Sequence, residues 1–544
     1  MTREDPFHRL SPVAAALIEE GQRAERAGQQ ELARRRYESA LYLLRSGHGP
    51  AAPEILRRVA RTYMDEGQYD EALDCLAAAL AVAESLDDES GTAQVTNAMA
   101  TAYMQRGELD IAQGLYERAR QAAHRVNDDR LIAMIAQNLG IIANMHGELE
   151  SALDHYASSL ATYRLIGADD YVGLVLNNMA MAFTQLERWD EATAAYEEAL
   201  AHCERSGDVA AGLMVQVNLA DMWIARGDWA RAADLCQAVL VGATLAGDQR
   251  ALGETHKHRG MIARARGDHA EAQAHLASAY DNAMSREDLL LAAETAREQA
   301  ELFEILGRNK DTLQALARSY TLFGKLRARR DLADLANRVS RLEERFYLIV
   351  RRWADTIESK DPYTLGHCER VAHYACALAR DVGYDEITMF WFRIGALLHD
   401  VGKIIVPTEI LTKAGPLTEE ERTIMERHAE AGVDLLRDID FAWDVLPMIR
   451  GHHERWDGDG YPDRLSAALI PESARILSVA DVFDALTSDR PYRAAFIPTD
   501  ALLMMRGQAA KMFDPDLLVR FDRLIRATDL YDQKRGSQAR THAG

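Results

Sequence analysis

The sequence predicts an all-α protein in which a long region of helical repeats precedes a smaller helical domain. Two observations indicate this fold class: a turn signal recurs every forty residues in the first two thirds of the chain, and the segments between the signals have helical apolar spacing. With 544 residues the chain is long enough for two or more domains.

The turn signal is a glycine, and it is the first sign of the repeats. The positions on the forty-residue grid are Gly67, Gly107, Gly147, Gly227, Gly267 and Gly307, with Glu187 at the vacant point. Alanine follows five residues later in most copies, as at Ala72 and Ala112. We expect each repeat to be a helix, a tight left-handed turn and a second helix, with alanine allowing the two helices to approach closely.

This pattern covers about residues 10–330 and resembles the tetratricopeptide repeat family, although the usual repeat of that family is about 34 residues long. Helical solenoids expose a concave surface that holds a peptide or a partner protein. Such a partner is therefore one interpretation of the repeats, and an array that only dimerises or spaces the protein is the other.

Residues 331–360 are predicted to form a connecting helix with an apolar seam. Its members are Leu332, Leu335, Val339, Leu342, Phe346, Ile349 and Trp353, spaced alternately by three and four residues. This heptad pattern favours a two-stranded coiled coil and hence a homodimer. One amphipathic helix lying on its own domain gives the same pattern and remains the alternative.

Ligand-type side chains stand in apolar segments of residues 361–490, which hold six of the seventeen histidines. His399 and Asp400 end the apolar segment FWFRIGALLHD, and Asp481 lies in ARILSVADVFDAL. A buried carboxylate is costly unless it is paired or bound to a metal. His452 and His453 follow Gly451 at a predicted helix end.

A further histidine, His428, is predicted to point inward. Thr418 and Glu421 form a capping box that begins a helix, on which Ile424, His428 and Leu435 share the apolar face. A single inward histidine is usually a satisfied core residue, but this explanation is weak for a whole cluster. Imidazole and carboxylate without thiolate suit Fe or Mn in an open site, with Zn, Mg and Ni as alternatives. With His367 in the segment GHCERV, seven such residues are present; they fit two ions bridged by a carboxylate, and Asp400 is the candidate bridge.

Taken together, these segments resemble the HD-GYP family of bacterial metal-dependent phosphodiesterases from about Asp361 to Phe521. The matching stretches are DPYTLGHCERVAHYA, ALLHDVGKIIVP, ILTKAGPLT, HAEAG, HHERWDGDGYP, IPESARILSVADVFDALTSDRPYR and FDPDLLVRF. The resemblance implies metal ligands at His367, His399, Asp400, His428, His452, His453 and Asp481. It implies phosphate contact or proton donation by Lys403 and substrate contacts by Tyr461, Pro462, Arg490 and Arg493. Asp484 is expected behind the ligands, and His373 on the surface.

The sequence departs from the family pattern at a few positions. Tyr363 stands where some members have a glutamate that binds a third metal, which favours two ions. Glu358 and Asp361 are near but out of register. Arg464 and Ala467 replace the usual glycines after the GYP segment, a departure that affects the shape of this loop.

The expected reaction is hydrolysis of cyclic di-GMP to the linear dinucleotide pGpG, with further hydrolysis to GMP left open and regulation through the repeats. Two alternatives remain: an HD-GYP receptor or scaffold with weak catalysis, and a phosphodiesterase for another cyclic dinucleotide. The expected domains are residues 10–330, 331–360 and 361–530, followed by a disordered tail over residues 533–544.

Composition limits the partners and the compartment. The formal charge of −22 argues against binding to nucleic-acid polymers or anionic membranes. Five scattered cysteines without a CxxC pair indicate a reducing compartment. Neither a signal peptide nor a membrane-spanning apolar run is recognisable, so we expect a cytoplasmic protein.

Overall fold

The computed structural model describes residues 10–44, 51–329, 333–359, 366–413, 415–489 and 493–527. These residues form helices joined by turns, with an isolated bridge between Ala509 and Phe513 and no β-strand among them. The all-α prediction is therefore confirmed. Within the same ranges, no helix has both the length and the apolarity needed to cross a membrane. Tyr363, Asp361, Arg490 and the tail over residues 533–544 lie outside the described residues.

Helical hairpins follow one another through the repeat region, and the helices within residues 12–285 pack on their neighbours in the chain. The hairpins are α1 (Pro12–Arg26) with α2 (Gln30–Leu43), α3 (Ala52–Asp65) with α4 (Tyr69–Ser85), α5 (Glu89–Arg106) with α6 (Leu109–Arg125), α7 (Asp129–Met145) with α8 (Leu149–Leu165), α9 (Asp169–Gln185) with α10 (Trp189–Ser206), α11 (Val209–Arg226) with α12 (Trp229–Ala246), α13 (Gln249–Arg266) with α14 (His269–Ser285), and α15 (Leu289–Ile305) with α16 (Asn309–Arg329).

Left-handed turns end the first helix of each hairpin at the predicted grid positions. The six grid glycines have φ between 68° and 96°, and Glu187 at the vacant point has φ of 57°. A second series of left-handed residues separates one hairpin from the next. Its members are Asp87, Asn127, Gly167, Gly207, Gly247 and Glu287. From α3 to α15 the chain therefore turns through the left-handed region after every helix, and sequence reasoning identified only the first series.

Small side chains let the two helices of a hairpin touch, as predicted. Alanines five residues after the grid positions, such as Ala72 and Ala112, are fully buried. At Gly140 on α7, an added Cβ would lie 2.5 Å from the ring of Tyr156 on α8. That tyrosine is itself buried, so the large and small positions of facing helices are complementary.

The chain divides into two compact units, and the division falls inside the last hairpin. One unit comprises Met1–Ala292 with Gly324–Asn337, and the other comprises Ala293–Phe323 with Arg338–Gly544. Most of α15 and α16 thus belongs to the same unit as the C-terminal helices, which we call the C-terminal unit.

The connecting helix α17 (Ala333–Glu358) buries its seam within the single chain. The described seam residues Val339, Leu342, Phe346, Ile349 and Trp353 are all buried. The seam therefore lies against the chain's own helices, as in the alternative of one amphipathic helix on its own domain. This corrects the intermolecular coiled coil predicted at this seam. A spacing of three and four indicates that a helix face is covered, but it does not indicate which chain covers it. Leu332 and the side chain of Leu335 lie outside the described residues.

Short helices complete the C-terminal unit. They are α18 (His367–Val382), α19 (Glu386–Leu398), a 3-10 helix (Val401–Ile405), α20 (Thr408–Leu411), α21 (Glu419–Glu426), α22 (His428–Leu436), α23 (Leu446–Gly451), a second 3-10 helix (Ala467–Leu469), α24 (Glu472–Thr487), α25 (Pro498–Arg506) and α26 (Pro515–Ala527). The predicted capping box of Thr418 and Glu421 is present at the start of α21. The helix it begins ends at Glu426, however, so His428 starts a new helix and Ile424 is exposed rather than sharing a buried face with it.

An aromatic cluster joins the last hairpin to the C-terminal helices. The ring of Trp391 on α19 lies 5.1 Å from both Tyr320 on α16 and Phe346 on α17, and 5.9 Å from Phe441. Phe390 stacks on Tyr320 at 6.2 Å. Because α19 ends directly before His399 and Asp400, this cluster fixes the helix that presents two of the predicted ligands.

Candidate metal centre

His367 is the first residue of α18, and its ring is held from behind. Asp484 on α24 accepts a hydrogen bond from His367 Nδ1 at 2.7 Å, which turns Nε2 towards the centre. There Nε2 lies 3.2 Å from Asp481 Oδ1. Asp484 is in turn held by Arg370, whose Nε and Nη2 donate at 2.6 Å and 3.0 Å. Asp484 therefore lies behind the ligands, as expected, and Arg370 is a supporting residue that sequence reasoning missed.

Three other histidines are oriented by the backbone in one common way. The Nδ1 atoms of His399, His428 and His452 donate to the carbonyl oxygens three residues earlier, at 2.7, 2.6 and 2.7 Å. Each sits at a helix end, where the carbonyl is free to accept and the side chain can leave the helix axis. This arrangement places the Nε2 atoms towards a shared centre, with those of His428 and His452 3.4 Å apart.

Asp400 lies between two groups of ligand atoms. Its Oδ1 is 3.6 Å from His428 Nε2, while its Oδ2 is 3.9 Å from His367 Nε2 and 3.5 Å from His399 Nε2. Within each of two triads, one ligand atom per residue lies within 4.8 Å of the others. The triads are His428, His452 and His453, and His367, His399 and Asp400. All seven predicted ligands thus lie close together. Asp481 belongs to neither triad, but its Oδ1 lies 3.2 Å from Nε2 of His367 in the second triad.

Burial and charge set the protonation of these groups. Burial, with the neighbouring imidazoles, holds the pKa of His452 well below its usual value, and burial lowers the pKa of His453 to about 3. Both rings are therefore neutral and carry a free lone pair. Burial opposes a charge on His367, but Asp481 and Asp484 raise its pKa to about 9. A cation at His367 Nε2 would thus displace a proton.

The carboxylates are ionised despite their burial. Burial disfavours the charge on Asp400, but Lys403 and the facing imidazoles hold its pKa well below the usual value. The pKa of Asp481 is lowered in the same way by His367. Lys403 Nζ lies 2.5 Å from Asp400 Oδ2, and although burial opposes its charge, Asp400 raises the pKa of Lys403.

These donors fit a pair of divalent ions. His399 Nε2 is buried and has no hydrogen-bond partner among the described residues, although its ring faces Asp400. A buried orphan imidazole nitrogen is costly in a metal-free interior but is a ready ligand. Neutral imidazoles and ionised carboxylates are the protonation states that metal binding requires.

Gly402, next to Lys403, permits the ligand-bearing segments to meet. A Cβ added there would lie 2.6 Å from Gly432 N and would overlap the carbonyl oxygen of His428. The 3-10 helix and α22 therefore touch backbone to backbone, which sets the distance between Asp400 and His428.

The GYP segment borders the site through its tyrosine. The ring of Tyr461 lies 4.8 Å from that of His453, and the Tyr461–Pro462 peptide bond is cis. The loop behind it is held by Glu454, a buried residue that sequence reasoning missed, whose two oxygens accept from Asp463 N at 2.7 Å and Leu465 N at 2.9 Å.

The residues that replace the family glycines in this loop keep a glycine-like backbone. Arg464 has φ of 56° and Ala467 has φ of 50°, both in the left-handed region. Arg450 holds Asp463 by two bonds of 2.6 and 2.7 Å. The loop thus adopts left-handed turns without glycine because side chains outside it fix its ends.

Of the remaining predicted residues, the structure describes Arg493 and His373. Arg493 donates to the carbonyl oxygens of Leu486 and Ala485 at 3.1 and 2.7 Å and stacks on Phe496, so its guanidinium caps the end of α24. Arg490 lies outside the described residues. His373 is exposed, as expected of a surface residue.

Comparison with known proteins identifies the domains. A family model described as an HD domain matches residues 351–517, and tetratricopeptide repeat models match residues 55–90, 91–164 and 173–206. A cyclic di-GMP phosphodiesterase response regulator of Xanthomonas campestris is 41% identical over 180 residues, covering 32% of this chain and 47% of that protein. A 3′3′-cGAMP-specific phosphodiesterase of Vibrio cholerae is 38% identical, covering 31% and 36%. A cyclic di-GMP phosphodiesterase of Thermotoga maritima is 35% identical, covering 34% and 52%.

The chain thus spans about a third to a half of the length of the curated relatives it matches. The C-terminal region therefore contains an HD domain over residues 351–517, and tetratricopeptide repeat models match parts of the region before it.

Proposed function

We propose that the HD domain is a metal-dependent phosphodiesterase that cleaves a 3′–5′ phosphodiester of a cyclic dinucleotide. The observation that carries this proposal is the position of Asp400, whose two oxygens face different ligand groups: His428 on one side, and His367 and His399 on the other. A carboxylate between two ligand groups is what a two-ion hydrolytic site needs.

Two divalent ions are the proposed cofactors, held by His367, His399, Asp400, His428, His452, His453 and Asp481. The absence of thiolate from this set favours Fe or Mn, with Zn, Mg and Ni as alternatives. When bound, such ions stabilise negative charge on phosphoryl oxygens and make water acidic enough to attack near neutral pH.

Lys403 is the proposed contact to the scissile phosphate. Its ammonium lies 2.5 Å from Asp400 Oδ2, beside the ligand groups, and supplies local positive charge in an acidic protein. The raised pKa of Lys403 favours electrostatic contact with the phosphate over donation of a proton to the leaving oxygen.

Tyr461 and Pro462 are proposed to border the bound nucleotide, because the Tyr461 ring packs against the ligand His453. Arg490 and Arg493 were expected to face its phosphates or guanine edges. Two donor groups of Arg493 are already bonded to carbonyl oxygens of α24, so we assign Arg493 to holding the segment that carries Arg490. Arg490 remains the proposed substrate contact.

Cyclic di-GMP is the proposed substrate and pGpG the main product. Relatives named for cyclic di-GMP and for 3′3′-cGAMP match with similar identities, 41% and 38%. Cleavage of 3′3′-cGAMP is therefore the second candidate activity. Both substrates belong in the same assay, with chromatography separating pGpG from GMP.

The repeats are proposed to bind a peptide or protein partner and to regulate the HD domain. Deletion of residues 1–292, which leaves most of the last hairpin on the C-terminal unit, should change the hydrolysis rate or its response to that partner. An unchanged rate and an unchanged oligomeric state would remove the regulatory role. The homodimer stays a prediction that needs a surface other than the α17 seam, and the cytoplasmic location stays a prediction from the cysteines.

The test of the activity is a double substitution, His399→Ala with Asp400→Ala. We expect it to abolish hydrolysis and to lower the content of bound metal while the far-ultraviolet circular dichroism stays that of a helical protein. His373→Ala is the matched control, because this histidine is exposed on α18 and touches no ligand. Full hydrolysis by the double variant would refute the two-metal assignment. Binding of the nucleotide without turnover by the wild-type protein would favour the receptor alternative.

A further inference from the structure

Glu358 is a buried carboxylate that the proposed reaction does not use. It is the last residue of α17 and only 5% of it is exposed. Burial of an ionisable side chain is costly without partners, so its contacts indicate what it does.

Both oxygens of Glu358 bond to the start of α18. Oε2 accepts from Gly366 N at 2.7 Å, and Oε1 accepts from Cys368 N at 2.6 Å. Gly366 is the N-cap residue and has no side chain to satisfy the free backbone donors of the first turn. Glu358 thus supplies from a distant helix the cap that α18 does not supply itself, and its charge suits the positive end of the helix.

The two bonds flank a metal ligand. His367 stands between Gly366 and Cys368, so the main chain of this ligand is held on both sides by one carboxylate. Its ring is held separately, by Asp484 at Nδ1. Main-chain position and ring orientation are therefore fixed by different acidic residues on different helices.

We propose that Glu358 is a positioning residue for the metal centre, acting through His367. This inference rests on the proposed function, because His367 must be a metal ligand for it to hold. Glu358 does not stand at the position of a ligand for a third ion. It acts indirectly, by fixing where the first turn of α18 begins.

Helix α17, which carries Glu358, also contacts the last repeat hairpin. Arg345 on α17 bonds to Glu301 at 2.7 Å and to Glu304 at 3.1 Å, both on α15. α17 is therefore held to the hairpin by Arg345 and to the main chain on either side of His367 by Glu358, so a shift of α17 against α18 would move this ligand.

Titration of metal-free protein with Mn²⁺ tests the proposal, with binding measured by calorimetry. Glu358→Gln keeps the shape but replaces one acceptor by an NH₂ group that cannot accept from a backbone N–H. We expect the Kd of at least one Mn²⁺ ion to rise by about 10-fold or more, the usual effect of removing a group that orients a ligand. Thr418→Ala is the matched control, since it removes the N-cap of α21 in the same unit without touching a ligand.

A positioning role predicts a further result that a structural cap does not. In a His367→Ala background, Glu358→Gln should cause no additional loss of Mn²⁺ affinity, because both changes act through the same ligand. Glu358→Asp, one methylene shorter, serves as the second variant if Glu358→Gln does not fold, with the same expected rise in Kd.

Two outcomes would overturn the inference, and they are distinguishable. If the wild-type protein binds two ions and Glu358→Gln loses thermal stability but keeps the wild-type Kd, as Thr418→Ala should, only the positioning role fails. If the wild-type protein binds no Mn²⁺ and none of the other candidate divalent ions, the proposed function fails and the positioning role fails with it.

Discussion

Replacement of Asp484 by asparagine tests the support behind His367. The side chain is 1% exposed and accepts from His367 Nδ1 and from two nitrogens of Arg370. Asparagine keeps the volume but offers one acceptor oxygen and an NH₂ group that faces a donor. Either His367 or Arg370 then loses its partner.

The expected loss of metal affinity follows from that contact. Removing a carboxylate that orients a ligand histidine raises Kd by about 10–100-fold, or about 1.4–2.8 kcal/mol. Breaking a buried ion pair can cost about 3–5 kcal/mol of stability. Because the side chain of Arg370 is 40% exposed and remains solvated, we expect the free energy of unfolding to fall by about 2 kcal/mol.

The assay is calorimetric titration of metal-free protein with Mn²⁺, together with urea unfolding. Asp381→Asn is the matched control, because Asp381 also accepts from two arginines, Arg520 and Arg523, in the same unit but away from the ligands. Its metal affinity should equal that of the wild-type protein. A Kd for Asp484→Asn within twofold of the wild-type value would refute the orienting role of Asp484.

Three further substitutions probe the backbone and the repeats. Gly402→Ala should lower the free energy of unfolding by about 1–3 kcal/mol and weaken Mn²⁺ binding, because its Cβ would overlap the backbone of α22; wild-type stability in urea would contradict that contact. Ala467→Gly should raise the free energy of unfolding by up to about 1 kcal/mol, since Ala467 holds a left-handed φ of 50°; a lower thermal midpoint would argue against strain there. Burial opposes a charge on His258, but Asp221 raises its pKa to about 9. The stabilisation that protonated His258 gains from Asp221 is fully present below about pH 6.5 and is lost as the pH rises through about 9. The thermal midpoint should therefore fall more between pH 6.5 and 9.5 in the wild-type protein than in His258→Gln, and equal falls would exclude His258 as the cause.

The repeats were predictable where their signal is local. A glycine that ends a helix and an alanine that lets two helices touch are requirements of single positions, so they recur in the sequence at the period of the fold. The second series of turns was missed because only half of its six members, Gly167, Gly207 and Gly247, are glycine. Asp87, Asn127 and Glu287 adopt the left-handed conformation without the residue type that usually signals it.

In the candidate centre, the ligand-type residues and Asp484 behind them were predictable, but most of the supporting residues were not. Ligand-type residues inside apolar segments are conspicuous, because burial is costly for them. Their supports are not: Glu358 and Arg370 look like ordinary charged residues of amphipathic helices, and only the tertiary structure gives them partners. The coiled coil predicted from the seam of α17 was wrong for a related reason. The pattern that includes Phe346 and Trp353 is the same whether the covering helix belongs to the same chain or to another.

The aromatic cluster around Trp391 limits where a gene fusion can join a new domain to this chain without exposing apolar rings. A gene fusion that attached a new sensor at residue 331 would discard Tyr320 and uncover the rings that it covers on α19. A fusion near residue 292 would carry the hairpin along and leave those rings covered. The part of the chain that stays intact in such a fusion is therefore the HD domain together with most of one helical hairpin. We expect relatives with exchanged sensors to retain an apolar helix at the place that α16 occupies here.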